Sequence, residues 1–148
     1  MSTQMTTQVI PIISSGTAGP LGAIHLPRLW AKLTLDAANK LPEDYDACGS
    51  GFDQLTIDDL GLKREDVVAY VQAKRPTYVQ FEAWVVANGK TDPETVRKHN
   101  DNVRTYLHSD ETGKKMRAAL GIERDDIKDA VTLNTLDDLH ALHSSAAK

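Results

Sequence analysis

Residues 26–38 read LPRLWAKLTLDAA, a pattern from which the fold class can be inferred. Apolar side chains recur there at the spacing i, i+3, i+4, i+7 and i+11, and they are Leu26, Leu29, Trp30, Leu33 and Ala37. This spacing places them on one face of an α-helix. Proline suits the first turn of a helix, where its missing N–H costs no hydrogen bond. We therefore expect an amphipathic helix from about Pro27 to Ala38, with its apolar face buried.

Further helical patterns follow along the chain. Glycine, proline and capping residues delimit them, and the predicted ranges are 52–60, 64–74, 78–88, 93–107 and 110–120, with a last helix capped by Asn134 or Thr135. The residues expected to cap or end these helices are Thr77, a capping box at 91–94, Ser109, Gly89 and Gly121. The sequence thus predicts an all-α fold of about six to seven short helices.

The fourth predicted helix contains residues 83–87, AWVVA, and is apolar nearly all round. A helix of this kind is normally buried on every side. We therefore expect it at the centre of the domain, with Trp84 in the core, and we expect Trp30 to be a core residue as well. Only residues 131–133, VTL, could pair as a strand.

The N-terminal segment is predicted to be irregular. Residues 10–24 contain three glycines and two prolines, which argues against a helix there. Because the segment also carries several isoleucines and leucines, we expect an ordered loop that covers an apolar surface. Residues 1–9 should be frayed. The length of 148 residues is typical of one domain, so we expect a single helical domain over 1–148.

Composition narrows the function classes. The net charge of −4, with scattered basic residues, argues against nucleic-acid binding. The chain has no apolar stretch near the ~20 residues that a membrane span requires, and its start lacks the features of a signal peptide. One cysteine, Cys48, cannot form an internal disulfide, which is typical of a reducing compartment. We therefore expect a cytoplasmic protein without membrane or nucleic-acid partners and without a cofactor.

A series of short motifs resembles one known family. The motifs are His25-Leu26-Pro27-Arg28, Gly51-Phe52-Asp53-Gln54, Leu60-Gly61-Leu62, Ala83-Trp84-Val85, Asp92-Pro93-Glu94 and Asn100. Their order and spacing resemble the DUF5069 family, small bacterial helical proteins of unassigned function. The resemblance covers about residues 20–107 and implies an all-helical cytoplasmic domain, with 108–148 as an extension outside it. It implies no catalytic residues.

Three basic side chains converge at the start of the first helix. His25, Arg28 and Lys32 are spaced i, i+3 and i+7, and a helix N-terminus attracts anions. Arginine can also bind a carboxylate through two parallel hydrogen bonds. These features predict a site for a small organic anion between the Gly/Pro loop and the first helix, with Arg28 and Lys32 as binding residues. The alternative is that both cations form surface ion pairs with Asp36 or Asp53.

His25 and Asp53 are the candidate catalytic residues, since either could transfer a proton to or from a bound anion. Asp53 could also orient His25 or Arg28, or simply serve as an acid in the first turn of a helix. Asn100 lies in an apolar stripe and has to find polar partners, either a ligand, which makes it a third substrate-binding candidate, or loop backbone. We expect Arg28 to face solvent or the loop, so that Arg28→Ala would barely change stability.

The remaining motifs carry less chemistry. The glycine-rich residues 16–22 match no known phosphate-binding loop, and nothing around Cys48 is typical of a nucleophile. His140 and His143 are predicted to be surface histidines rather than metal ligands. Because no motif establishes an enzyme, the alternative function is a non-catalytic helical module for protein interaction or homo-oligomerisation.

Overall fold

The computed structural model describes residues 7–147 and has the predicted all-α fold. Its helices are α1 (Leu26–Ala37), α2 (Phe52–Asp59), α3 (Arg64–Lys74), α4 (Tyr78–Asn88), α5 (Pro93–Arg104), α6 (Asp110–Leu120) and α7 (Ala130–Ala146). Over the described range, β-pairing is limited to two isolated bridges, Ala18 with Ile24 and Leu107 with Asp129.

The first helix is the centre of the fold. α1 packs against α2, α3 and α4, and its apolar stripe is buried as predicted at Leu26, Leu29 and Leu33. The core around it consists of Ala23, Leu26, Leu29, Leu33, Cys48, Ile57, Leu60, Val67, Val71, Phe81, Val85 and Val96. α7 packs against both α5 and α6. Within residues 7–147, no helix combines the length and apolar character that a membrane crossing requires.

The irregular N-terminal segment is held across α1 by hydrogen bonds. Val9 N–H donates to the Lys40 carbonyl at 2.7 Å, and the Arg28 guanidinium donates to the carbonyls of Pro11 and Ile13, each at 2.9 Å. Because buried backbone carbonyls need such partners, these bonds explain why a glycine- and proline-rich segment keeps one path. The prediction of frayed residues 1–9 lies mostly outside the described residues.

The last helix begins earlier than predicted. α7 starts at Ala130, so the Asn134 or Thr135 cap was wrong and residues 131–133 form its first turn rather than a strand. The cap is Asp129, whose carboxylate accepts the Thr132 N–H at 2.9 Å. Leu133 is fully buried, so tertiary packing outweighs the strand preference of Val131 and Thr132.

The other caps match the prediction with one exception. Thr77 forms a capping box with Gln80, and Ser109 accepts the Thr112 N–H at 3.2 Å. The box predicted at 91–94 was wrong, because Asp92 itself caps α5 and accepts the Thr95 N–H at 3.2 Å. The Glu94 carboxylate pairs with Arg97 instead.

The fourth helix is not the buried centre of the domain. Its inner face carries Phe81 and Val85, but Val79 and Val86 are 72% and 49% exposed. Trp84 is only half-buried, with its ring stacked on Tyr70 at 4.6 Å between centroids. Trp30 is also half-buried and donates its indole N–H to the Pro76 carbonyl at 3.0 Å. The fourth helix is exposed on its outer side because α1 covers only one side of it.

Candidate functional site

A cavity of about 580 Å³ lies beside the start of α1. α1 and α2 form one side of it, and the loop from Asp44 to Gly51, the chain at Tyr106 to His108, and α7 form the rest. His25, Arg28, Lys32 and Asp53, four of the five predicted site residues, contribute to its wall. The volume is within the range of small-molecule sites.

Asp53 is the centre of a buried polar network in this wall. One carboxylate oxygen accepts a hydrogen bond from His25 Nε2 at 2.7 Å. The other accepts from Lys32 Nζ at 2.5 Å and from the Gly49 N–H at 2.7 Å. Burial alone would raise the pKa of Asp53, but the His25 hydrogen bond and the charges of its partners outweigh it and lower the pKa to about 2. Asp53 is therefore a fixed carboxylate and a weak base at neutral pH.

His25 connects this network to the N-terminal segment. It occupies the N-cap of α1 in the left-handed conformation, with φ of 68°, which histidine adopts more readily than most residues. Burial lowers the pKa of its imidazole below the ordinary 6.5, against the attraction of Asp53. The neutral ring donates from Nε2 to Asp53, because a carboxylate can only accept. Nδ1 then accepts from the Ser15 hydroxyl at 3.0 Å.

Ser15, His25 and Asp53 thus form the hydrogen-bond sequence of a serine hydrolase triad. The geometry differs in two respects. The serine is bound to Nδ1 and the aspartate to Nε2, the reverse of the triad, and Ser15 is only 2% exposed and does not line the cavity. A ligand in the cavity cannot reach its hydroxyl oxygen. The three residues therefore anchor the N-terminal segment to α1 and α2, and Ser15 was not singled out by any sequence pattern.

Arg28 faces the N-terminal loop, one of its two predicted orientations, but the guanidinium is buried and is not on the surface. It is 7% exposed and donates to the two carboxylate oxygens of Asp138 at 2.6 and 3.1 Å. Tyr45 also donates to Asp138, at 2.9 Å. The partner of Arg28 is therefore neither Asp36 nor Asp53 but a residue of α7. The C-terminal region of the chain consequently packs against α1 and contributes to the cavity wall.

Lys32 pairs with Asp53, one of its two predicted partners, although this pair is buried rather than on the surface. Asn100 lies outside the cavity. Its side chain accepts from Ile24 N–H at 3.0 Å and donates to the Gly22 carbonyl at 2.8 Å, in agreement with the loop-backbone alternative. His99, its neighbour in α5, binds the Ile24 carbonyl and Asp59.

The charge balance of the cavity is acidic. Five aspartates contribute to the lining, namely Asp44, Asp46, Asp53, Asp58 and Asp137, against the two cations Arg28 and Lys32. Both cations are already paired with buried carboxylates. Burial, with repulsion from Asp138 and Asp44, raises the pKa of Asp137 above its ordinary 3.8. The carboxylates of Asp44, Asp46, Asp58 and Asp137 therefore have no cation in the cavity wall that balances their charge.

Aromatic rings form a second part of the wall. The centroid of the Phe52 ring lies 5.5 Å from that of His25, in an edge-on arrangement. It also lies 5.5 Å from the centroid of the Tyr106 ring, and these two rings are inclined at 70°. Tyr106 in turn lies 6.0 Å from His108 and is 50% exposed. Ring faces carry negative electrostatic potential. The sequence did not single out Tyr106, which it placed in the last turn of the predicted helix 93–107; α5 ends at Arg104, so Tyr106 lies beyond it.

The structure also places Cys48, His140 and His143, which the sequence did not favour as site residues. Burial raises the pKa of the Cys48 thiol, which disfavours the reactive thiolate. His140 and His143 are exposed on α7. In the part of the chain that the structure describes, no group of three or more His, Cys, Asp or Glu side chains is arranged to hold a metal ion.

Comparison of the sequence with models of known families and with curated proteins gives no match.

Proposed function

We propose that this protein binds a small organic cation in the cavity between α1, α2 and α7. The observation that carries the proposal is the combination of uncompensated carboxylates with the Phe52 and Tyr106 rings in one wall. Carboxylates attract an ammonium group directly, and aromatic faces bind it through cation–π interactions. Proteins that recognise quaternary and primary ammonium ligands do so with carboxylates and aromatic rings.

The charge balance favours a cation over the organic anion predicted from the sequence. An anion would need Arg28 or Lys32, but both are neutralised by Asp138 and Asp53 at hydrogen-bond distance. Releasing either cation would leave a carboxylate buried without its counter-ion, which is strongly unfavourable. The predicted location is kept in this proposal, while the charge of the ligand is reversed.

The network around Asp53 supports binding rather than acid–base catalysis. Both carboxylate oxygens of Asp53 and both ring nitrogens of His25 already have protein partners. A carboxylate with a pKa of about 2 is a poor proton acceptor at neutral pH. We therefore assign His25 and Asp53 the role of shaping the wall.

Calorimetric titration with choline tests this proposal. We expect choline to bind, while its uncharged isostere, in which carbon replaces the nitrogen, and acetate both fail to bind. Tyr106→Ala should weaken choline binding by about tenfold, consistent with the loss of a partly desolvated cation–π contact. Asp137→Asn should also weaken it, and acidification should have the same effect as Asp137 becomes protonated.

Asp126→Asn is the matched control, because Asp126 is exposed, pairs with Arg124 and does not line the cavity. Equal binding of choline and its uncharged isostere would refute the proposal, as would a Tyr106→Ala variant of unchanged affinity.

Self-association through α4 is a second candidate function, supported by a different surface. Val79, Ala83 and Val86 are exposed on the outer side of this helix, which has no charged residue on that side. We expect sedimentation velocity to detect a reversible dimer at high protein concentration and Val79→Lys to remove it. A single monomeric species at all concentrations would exclude this alternative.

A further inference from the structure

A second cavity, of about 560 Å³, lies between the Gly/Pro loop and α5 and is called the groove below. It is formed by residues 20–22 of that loop together with the start and outer face of α5. The residues on which its chemistry depends are Leu21, Pro93, Val96, Arg97, Asn100 and Arg104. None of them contributes to the first cavity.

The charge of this groove is opposite to that of the first cavity. Among residues 7–147, Arg97 and Arg104 are its only charged lining residues, and no carboxylate contributes to the lining. Arg104 has no ion-pair or hydrogen-bond partner for its side chain among residues 7–147. Arg97 pairs with Glu94 and Asp101, but these are exposed pairs, which are weak and easily exchanged.

The two arginines lie on the same side of α5. They are seven residues apart, which corresponds to two helical turns and about 10.5 Å along the helix axis. Both side chains are long enough to lean over the space between them. A guanidinium group binds a carboxylate through two parallel, charge-assisted hydrogen bonds, so either arginine can hold an anion at the groove.

The floor of the groove is apolar and preformed. Val96 is 8% exposed and Leu21 is half-buried, with a proline ring on each side of the groove. The Asn100 side chain fixes the turn through Gly22 and Ile24, and Glu82 accepts the Leu21 N–H at 3.0 Å. Because these contacts order the loop before any ligand arrives, binding costs less conformational entropy.

We propose that this groove is a second binding site, specific for a small organic carboxylate with an apolar body. The apolar body lies on Leu21 and Val96, and the carboxylate is bound by Arg104 with support from Arg97. This places the anion predicted from the sequence at the Gly/Pro loop, but on α5 rather than α1. The inference is independent of cation binding in the first cavity.

Titration with phenylacetate, followed by amide and arginine side-chain NMR signals, tests this inference. We expect saturating shifts at Gly22, Val96 and Arg104, and weaker binding by about tenfold in Arg104→Gln, as the loss of a charged hydrogen-bond pair implies. Arg104→Lys should retain part of the affinity, because it keeps the charge without the paired geometry. Arg124→Gln, at an exposed arginine outside the groove, should bind like the wild type.

Phenylacetamide is the probe that separates charge from apolar contact. It has the same apolar body without the negative charge, so it should bind far more weakly than phenylacetate. Equal binding of the two probes would overturn the inference, as would full affinity in Arg104→Gln. Shifts confined to the first cavity, or no shifts at about 10 mM phenylacetate, where a ligand of millimolar Kd is mostly bound, would also overturn it.

Discussion

Arg28→Met should lower the free energy of unfolding by about 3–5 kcal/mol, the range for removing one partner of a buried ion pair. The substitution keeps most of the side-chain volume but leaves Asp138 buried, 3% exposed, without its cation. It also removes the donors for the Pro11 and Ile13 carbonyls. Chemical denaturation measures the effect, which the sequence alone predicted to be negligible.

Arg97→Met is the matched control for this prediction. Arg97 makes two ion pairs within α5, but its side chain is 60% exposed, so its loss should change the free energy of unfolding far less than the loss of Arg28. Similar effects for the two arginines would show that the Arg28–Asp138 pair is not buried as described. The double variant Arg28→Met with Asp138→Leu should recover part of the loss, because no buried charge is left unpaired.

Asp53→Asn should have a comparable effect, about 3–5 kcal/mol at neutral pH, because it leaves the Lys32 ammonium buried without a counter-ion. The amide is nearly isosteric, so the loss reports charge rather than packing. Asp126→Asn, at an exposed carboxylate paired with Arg124, should leave the free energy of unfolding nearly unchanged.

The pH dependence of the Asp53 effect identifies its cause. The pKa of this carboxyl is lowered in the folded protein to about 2 from an ordinary 3.8. Its stabilising contribution is therefore complete above pH 3.8 and is lost as the pH falls toward 2. The difference in stability between wild type and Asp53→Asn should narrow over this interval. A difference that stays constant down to pH 2 would contradict the assigned network.

Local signals in the sequence were sufficient to locate most helices. Proline at the start of α1, the Thr77 and Ser109 caps and the glycine at position 121 all act within one helical turn, so their effect can be predicted without the fold. The errors arose where tertiary contacts decide. The first turn of α7 depends on the burial of Leu133, and the exposure of α4 depends on how many neighbours it has.

The site was predictable only in part for the same reason. His25, Arg28, Lys32 and Asp53 were identified because three of them share one helix face and the fourth is an acid in the first turn of α2. Asp138 is 110 positions from Arg28 in the chain, and no local pattern connects the two. Without that partner, Arg28 was interpreted as a free cation, and an organic anion was predicted as its ligand.

The central claim is that an organic cation lies against the Phe52 and Tyr106 rings. The most direct measurement is the intermolecular nuclear Overhauser effect between the methyl protons of bound choline and the protein. We predict cross-peaks to the ring protons of Phe52 and Tyr106, and none to Leu21 or Val96 in the second groove. Cross-peaks to other residues only, or no cross-peaks at saturating choline, would contradict the assignment of this cavity as a cation site.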